Sequence, residues 1–292
     1  MARYLLIDVG GTAIKSAIYQ DGLKDPKEFP TDASLGGKHL VEKVMEIVDG
    51  HEGIDAISIS TAGQVDAKEG YIIFANENIP EYTGTRWKEI LEEKYHVPVF
   101  VENDVNAAAL GEGHYGAAKE IGNYLCLTYG TGVGGAIVID SKIYRGLSGS
   151  AGEFGALITH CSDHQQGQAF SGGYEKYAST TALVNKAKEY DPSLTSGRKV
   201  FEKLEDEGVR KIFDDWVNEI AVGLVSLIHV FNPEMVILGG GVMENDFLFG
   251  KVKEAIYKEI MPSFKGIKIE KAQLGNKAGM YGALARIEKE IR

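Results

Sequence analysis

A chain of 292 residues, 44% of them hydrophobic, is long enough for two modest domains with filled cores. Its 31 basic residues against 42 acidic ones leave a net charge of −11, which argues against nucleic acid or an anionic membrane surface as a partner. Two cysteines, Cys126 and Cys161, exclude a disulfide framework and suggest a reducing compartment; no apolar run reaches membrane-spanning length and Met1 leads straight into a strand, so a cytoplasmic location is expected.

The first predicted element is a hairpin over residues 5–18. Apolar, β-rich runs flank Asp8, Gly10, Gly11 and Thr12, and the glycines are expected to take positive φ at its tip. A plain turn would need only Gly10-Gly11. This one adds a carboxylate at the end of the incoming strand and a hydroxyl within the turn. Backbone N–H groups, the Thr12 hydroxyl and Lys15 would make a small anion nest, and Asp8 suits a Mg²⁺ ion. A turn with incidental polar residues is the alternative.

Residues 37–48 carry Leu40, Val41, Val44, Met45 and Val48 at helical spacing. Residues 54–60 alternate as a strand and run into Thr61-Ala62-Gly63. A short strand over 71–74 precedes a polar loop at 75–80. A helix is expected over 85–96, with Thr85 as its cap, then a strand over 97–101 and an alanine-rich helix over 103–113. Asp104 therefore stands where a strand gives way to a helix, the place at which α/β sheets present their sites. Asn103 and Asp104 are equally good N-caps, and spacing alone favours that reading.

A second hairpin, over 124–139, holds Gly130-Thr131-Gly132 and then Gly134-Gly135. Gly130, Gly132 and Gly135 have the spacing of a dinucleotide fingerprint, but a β-branched run follows where that motif requires a helix, so the reading fails. No G-x-x-x-x-G-K-[ST] occurs either. Two hairpins with glycine-threonine tips suggest two similar domains holding a phosphate chain between them. Residues 146–173 are glycine-rich and irregular, a length that is usually functional or disordered. Within them His160, Cys161, Asp163 and His164 are too closely spaced for an ordinary metal site. Helical character resumes over 174–190, a turn follows at 191–197, and a long helix covers 208–229. A buried strand over 235–238 ends in Gly239-Gly240-Gly241, which suits close approach to an adenine-ribose unit or merely opens the next helix. Helices over 247–260 and 278–291 enclose a strand at 267–271. Alternating strands and helices make the chain α/β.

DVGGTAIK at 8–15, ENDVNAAALGE at 102–112, GTGVGG at 130–135 and AGEFG at 151–155, in that order, resemble the ROK family of sugar kinases in the actin–hexokinase–Hsp70 superfamily. The resemblance runs from Leu5 to the last helix. It implies two actin/ribonuclease-H-like domains with a cleft between them: residues 1–116, with 278–292 packing back on them, and residues 117–277. It implies ATP-dependent phosphorylation of a sugar hydroxyl, the 6-hydroxyl of a hexose or hexose derivative, with Mg²⁺ as cofactor and a homodimer as the assembly. Asp104 then becomes the catalytic base and Asn103 its sugar-binding neighbour. Glu153 in AGEFG, Glu175 in GYEKYAS, Gly63 and Asn78 become further sugar contacts. Gly10, Gly11, Thr12, Lys15, Gly130, Thr131, Gly132, Gly239, Gly240 and Gly241 become the ATP contacts, and Asp8 the Mg²⁺ ligand.

The chain departs from the family at its zinc motif. The positions of the ligating His and three Cys are here Ala156, Gln166, Gln168 and Gly173, which supply no ordinary zinc ligand. No structural zinc is therefore expected. The missing His also contacts sugar in many members, so glucose, N-acetylmannosamine and β-glucosides all stay compatible. A DNA-binding regulator of the family would need a helix-turn-helix before the first strand, where only residues 1–4 stand. A catalytically idle sugar sensor is disfavoured by Asp104, and an acyl-CoA-type activating ATPase by the lack of iron–sulfur cysteines.

Overall fold

The computed structural model describes residues 2–291. Strands β1 (Tyr4–Val9), β2 (Ala13–Tyr19) and β3 (Leu23–Pro30) form an antiparallel meander. Helix α1 (Gly36–Asp49), β4 (Ala56–Thr61), the short pair β5 (Gln64–Asp66) and β6 (Tyr71–Phe74), α2 (Trp87–Tyr95), β7 (Val99–Asn103) and α3 (Asp104–Tyr115) follow. The sheet order is β3-β2-β1-β4-β7, with β1, β4 and β7 parallel. Central β4 reads AISIST and is buried at every residue, as a parallel strand covered on both faces must be. Edge strand β3, LKDPKEFP, is almost wholly exposed, and its lysines and prolines blunt the open edge. That exposure erases the alternation by which a strand is read, and sequence pattern missed it.

The second half runs through β8 (Tyr124–Tyr129), β9 (Val133–Ile139), β10 (Lys142–Ile143), α4 (Glu175–Ala178), α5 (Thr180–Tyr190), α6 (Gly197–Glu202), α7 (Glu207–Phe231), β11 (Met235–Gly239), α8 (Asp246–Glu259) and β12 (Lys268–Lys271), before α9 (Ala278–Ile291). Its sheet order, β10-β9-β8-β11-β12, repeats that of the first. Two compact units result: Met1–Glu120 with Ile143–Ala151 and Asn276–Arg292, and Ile121–Lys142 with Gly152–Gly275.

In the first unit the sheet carries a core on each face. Leu5, Ile7, Val9, Ile57 and Ile59 meet α1 and α2 through Leu40, Val44, Trp87 and Leu91. Leu6, Ala17 and Ala56 meet α9 through Met280, Ala283, Leu284 and Ile287. Strand alternation dictates this division, since successive side chains point to opposite faces. Helix α9 also lies against α3 so closely that a Cβ at Gly282 would fall 1.8 Å from the Ala107 carbonyl oxygen. In the second unit α7 buries Phe213, Trp216, Ile220 and Leu224, and α8 buries Leu248, Val252 and Ile256. Among the described residues no helix is long and apolar enough to cross a membrane.

Local readings shift in four places. Helix α2 is preceded by Arg86, and Thr85 donates its hydroxyl to the Tyr82 carbonyl (2.7 Å) instead of capping it. The helical stretch 174–190 breaks at Ser179, whose hydroxyl caps α5 through the Ala182 N–H. The turn at 191–197 passes into α6, capped by Ser196. Neither Gly10 nor Gly11 adopts positive φ, because the link between β1 and β2 spans three residues and closes through the Gly10 N–H to the Ala13 carbonyl (3.0 Å).

Candidate active site

In the first unit the polar residues gather at the carboxyl ends of parallel strands. Lys15, Asp8, Ser60 and Glu102 occupy successive places in one row across β2, β1, β4 and β7. The Ser60 hydroxyl donates to Asp8 Oδ1 at 2.7 Å. Burial raises the Asp8 pKa, against the opposing pull of that hydrogen bond and of the Lys15 charge. One residue further on, Thr61 pairs with Asn103.

Asn103 ends β7 and caps α3. Its Oδ1 accepts the N–H groups of Val105 and Asn106, both at 3.0 Å. Its Nδ2 donates to the Gly63 carbonyl and to Asp104 Oδ1, both at 2.9 Å. An amide offers two donors and two acceptor lone pairs, and here all are engaged. The capping role thus falls to Asn103, and its amide steers Asp104. Asp104 Oδ1 accepts from Val105 N–H as well (2.9 Å), leaving Oδ2 the oxygen those bonds do not engage. Burial, then the neighbouring Asp8 charge, lifts Asp104 to about 6, against hydrogen bonds from Val105 and Asn103 that lower it. A carboxyl so placed is half-ionised near pH 6 and mostly ionised at neutrality, yet binds a proton more readily than an ordinary carboxylate, so it can take one from a hydroxyl.

Gly63 holds φ +96°, and a Cβ there would press on the Phe74 carbonyl oxygen at 3.0 Å. Behind it runs a buried chain that pattern reading did not single out: Trp87 Nε1–H donates to the Tyr82 hydroxyl (2.9 Å), which lies 2.5 Å from Thr61 Oγ1. Burial pushes the Tyr82 phenol up to about 12, so it stays a neutral hydrogen-bonding post under the strand end. Asn78 lies exposed in the loop between β6 and α2, its N–H on Asn76 Oδ1 at 3.2 Å. Around the first hairpin the Thr31 hydroxyl donates to the Gly10 carbonyl (2.7 Å) and Lys15 reaches the Asn276 carbonyl (3.4 Å). A Cβ at Gly11 would meet nothing within 4 Å, so this tip is open to an approaching group.

In the second unit Gly130-Thr131-Gly132 closes through the Gly130 N–H to the Gly132 carbonyl (3.0 Å), and the Thr180 N–H at the start of α5 donates to the Gly130 carbonyl (2.9 Å). Gly130 is as open as Gly11, but a Cβ at Gly132 would lie 2.2 Å from Glu175 Oε2. That oxygen accepts the Val133 N–H at 2.9 Å. The missing side chain at Gly132 therefore makes room for Glu175, a sugar-site candidate, beside a phosphate-site candidate. Gly240, at φ +90°, backs onto Tyr129, where a Cβ would fall 2.1 Å from the carbonyl oxygen, while Gly241 is open. Glu153 is exposed just before the buried Phe154 and Gly155. Among the described residues no group of three or more His, Cys, Asp and Glu is placed to hold a metal ion. Asp8 remains the hard-oxygen candidate for Mg²⁺; a cation there would offset the cost of its buried charge.

The family model described as "ROK family" matches residues 4–290. An uncharacterized protein of Clostridium perfringens is 40% identical, with 97% of each chain covered. The glucokinase of Streptomyces coelicolor is 32% identical over 95% of each chain. Among solved structures, a ROK family glucokinase from Streptomyces griseus in complex with glucose and AMPPNP superposes with a TM-score of 0.81 at 29% identity, covering 97% of this chain and 98% of that one.

Proposed function

This chain belongs to the ROK family and is an ATP-dependent sugar kinase; we propose that its acceptor is the 6-hydroxyl of a hexose or hexose derivative, with Asp104 as the general base. The observation that carries this reading is the Asp104 carboxyl, held at a strand-to-helix junction by Asn103 and brought to about 6 by burial and Asp8. In the proposed step Asp104 accepts the proton of the sugar hydroxyl as its oxygen attacks the γ-phosphorus. The bond from that phosphorus to the bridging oxygen breaks and ADP leaves. Phosphoryl transfer asks mainly for alignment and charge neutralisation, so the base contributes about 10²–10⁴-fold.

The open tips at Gly11 and Gly130 support phosphate contacts, with Thr12 and Thr131 offering hydroxyls and Lys15 a cation. Gly239-Gly240-Gly241 takes the adenine-ribose unit. Glu153 and Glu175 accept hydrogen bonds from adjacent sugar hydroxyls, with Gly63 and Asn78 at the rim. Mg²⁺ held by Asp8 would neutralise charge on the nucleotide phosphates.

The test is coupled ADP release over a panel including glucose, mannose, N-acetylmannosamine and β-glucosides, beside sugar-free controls and Asp104→Asn. Turnover that depends on one hexose class and falls by about 10²-fold or more in Asp104→Asn is expected. An Asp104→Asn protein with near-normal kcat removes Asp104 from the role. Absence of any sugar-dependent turnover removes the reaction itself.

A further inference from the structure

Glu102, the residue before Asn103, has a fully buried side chain. It stands in the same cross-strand row as Ser60 and Asp8. Arg145 meets it with both prongs of the guanidinium: Nη1 donates to Oε1 at 2.9 Å and Nη2 to Oε2 at 2.5 Å. Glu102 Oε1 also accepts the backbone N–H of Asn103 at 3.1 Å. The ion pair is thus one atom removed from the backbone on which Asn103 and Asp104 turn from strand to helix.

Arg145 comes from far along the chain, in the segment Ile143–Ala151 that belongs to the first unit. The segment closes on itself through the Ala151 N–H to the Arg145 carbonyl (3.2 Å) and docks through the Ser150 hydroxyl to Gln64 Oε1 (2.9 Å). Burial works against the Arg145 charge, but hydrogen bonding and attraction to Glu102, with smaller help from Asp66 and Glu290, keep it firmly protonated. A buried pair of this kind adds little stability over apolar residues of equal volume. What it supplies is direction, because a planar fork fits a carboxylate in one orientation.

We propose that Arg145 is a positioning residue for phosphoryl transfer: its two-pronged hold on Glu102 sets the β7-to-α3 turn that presents Asn103 and Asp104. The inference rests on the sugar-kinase reading with Asp104 as base.

The test uses the full chain with Arg145→Met, Arg145→Lys, Glu102→Gln and the apolar double variant Glu102→Leu/Arg145→Met. It reads kcat, KM for ATP and for sugar, thermal unfolding, and amide exchange at Asn103, Val105 and Asn106. Arg145→Met is expected to lose kcat by roughly 10- to 100-fold, since small misplacements of reacting groups cost that much. Its KM for ATP should stay within about twofold, and the fall in kcat should persist at temperatures well below its melting transition, where the protein is fully folded and loss of stability cannot account for it. Exchange should quicken at the three amides and not in β1 or β4. Arg145→Lys should recover part of kcat, because it restores charge without the fork. The double variant should recover thermal stability but not kcat, as the Asn103 N–H keeps no acceptor. Recovery of both, or unchanged kcat and exchange in Arg145→Met, overturns the proposal. If Arg145→Met fails to fold, Arg145→Lys and Glu102→Gln carry the same measurements. If the unaltered protein turns over no sugar, the kinase reading falls separately, while unchanged exchange at the three amides would still overturn the positioning role.

Discussion

Asp104 and Asn103 look interchangeable as letters, both short, polar and at the start of a helix. The fold separates them. Asn103 spends its amide on capping α3 and on two bonds that orient its neighbourhood, while Asp104 keeps a carboxyl whose proton affinity is raised. A pH dependence follows. With a folded value of about 6 above the ordinary 3.8, the group contributes stability below pH 3.8 that is lost as pH rises through about 6. Asp104→Asn, neutral throughout, should therefore unfold at a higher temperature than the parent above pH 6 and gain progressively less toward pH 4. The base must be ionised to act, so kcat/KM should fall about tenfold per pH unit below about 6. Melting curves and rate profiles over pH 4–8 check both. A rate profile flat through pH 6 would place the base elsewhere.

At the scale of elements, glycines that look alike in the hairpins do different work. Gly130 faces open space and Gly132 faces Glu175. Gly130→Val should leave melting near that of the parent and raise KM for ATP. Gly132→Ala should instead displace the Glu175 carboxylate, lowering the melting temperature and weakening sugar binding more than ATP binding. Equal effects on ATP from both would contradict this division. The spacing of the tips was legible because glycines punctuate strands; which glycine accommodates a neighbour was not, since Glu175 lies far along the chain. Helix α9 offers a parallel case. Its apolar period was plain, but nothing local says that Gly282 lies against the Ala107 carbonyl. Gly282→Ala should cost about 1–3 kcal/mol by overpacking, measured by denaturant unfolding. An unchanged midpoint would mean that α9 shifts at little cost.

For the whole molecule, the loop that has lost the family's zinc positions holds together by hydrogen bonds. The Ser171 hydroxyl, 5% exposed, takes the Gln165 N–H (2.9 Å) and donates to the Gln168 carbonyl (2.8 Å). Tyr174 N–H reaches the Leu157 carbonyl (2.7 Å), and His160 stacks on Tyr177 beside Glu219. Purified protein should carry no stoichiometric zinc by elemental analysis. Activity lost on chelation should return with Mg²⁺ alone; restoration by zinc alone would show a metal where none is expected. By itself the sequence determined the α/β class, both glycine-threonine hairpins, the strand-to-helix place of Asp104 and the closing helix, because hydrophobic period, glycines and caps are local signals. It also carried the family resemblance. Tertiary structure alone decided that edge strand β3 exists, that Asn103 caps while Asp104 is left to react, that Glu175 fills the space beside Gly132, and that Arg145 grips Glu102. Each of these depends on burial or on a partner 40 or more residues away in the chain, as the Arg145–Glu102 separation of 43 shows, and such contacts leave no trace in a local pattern.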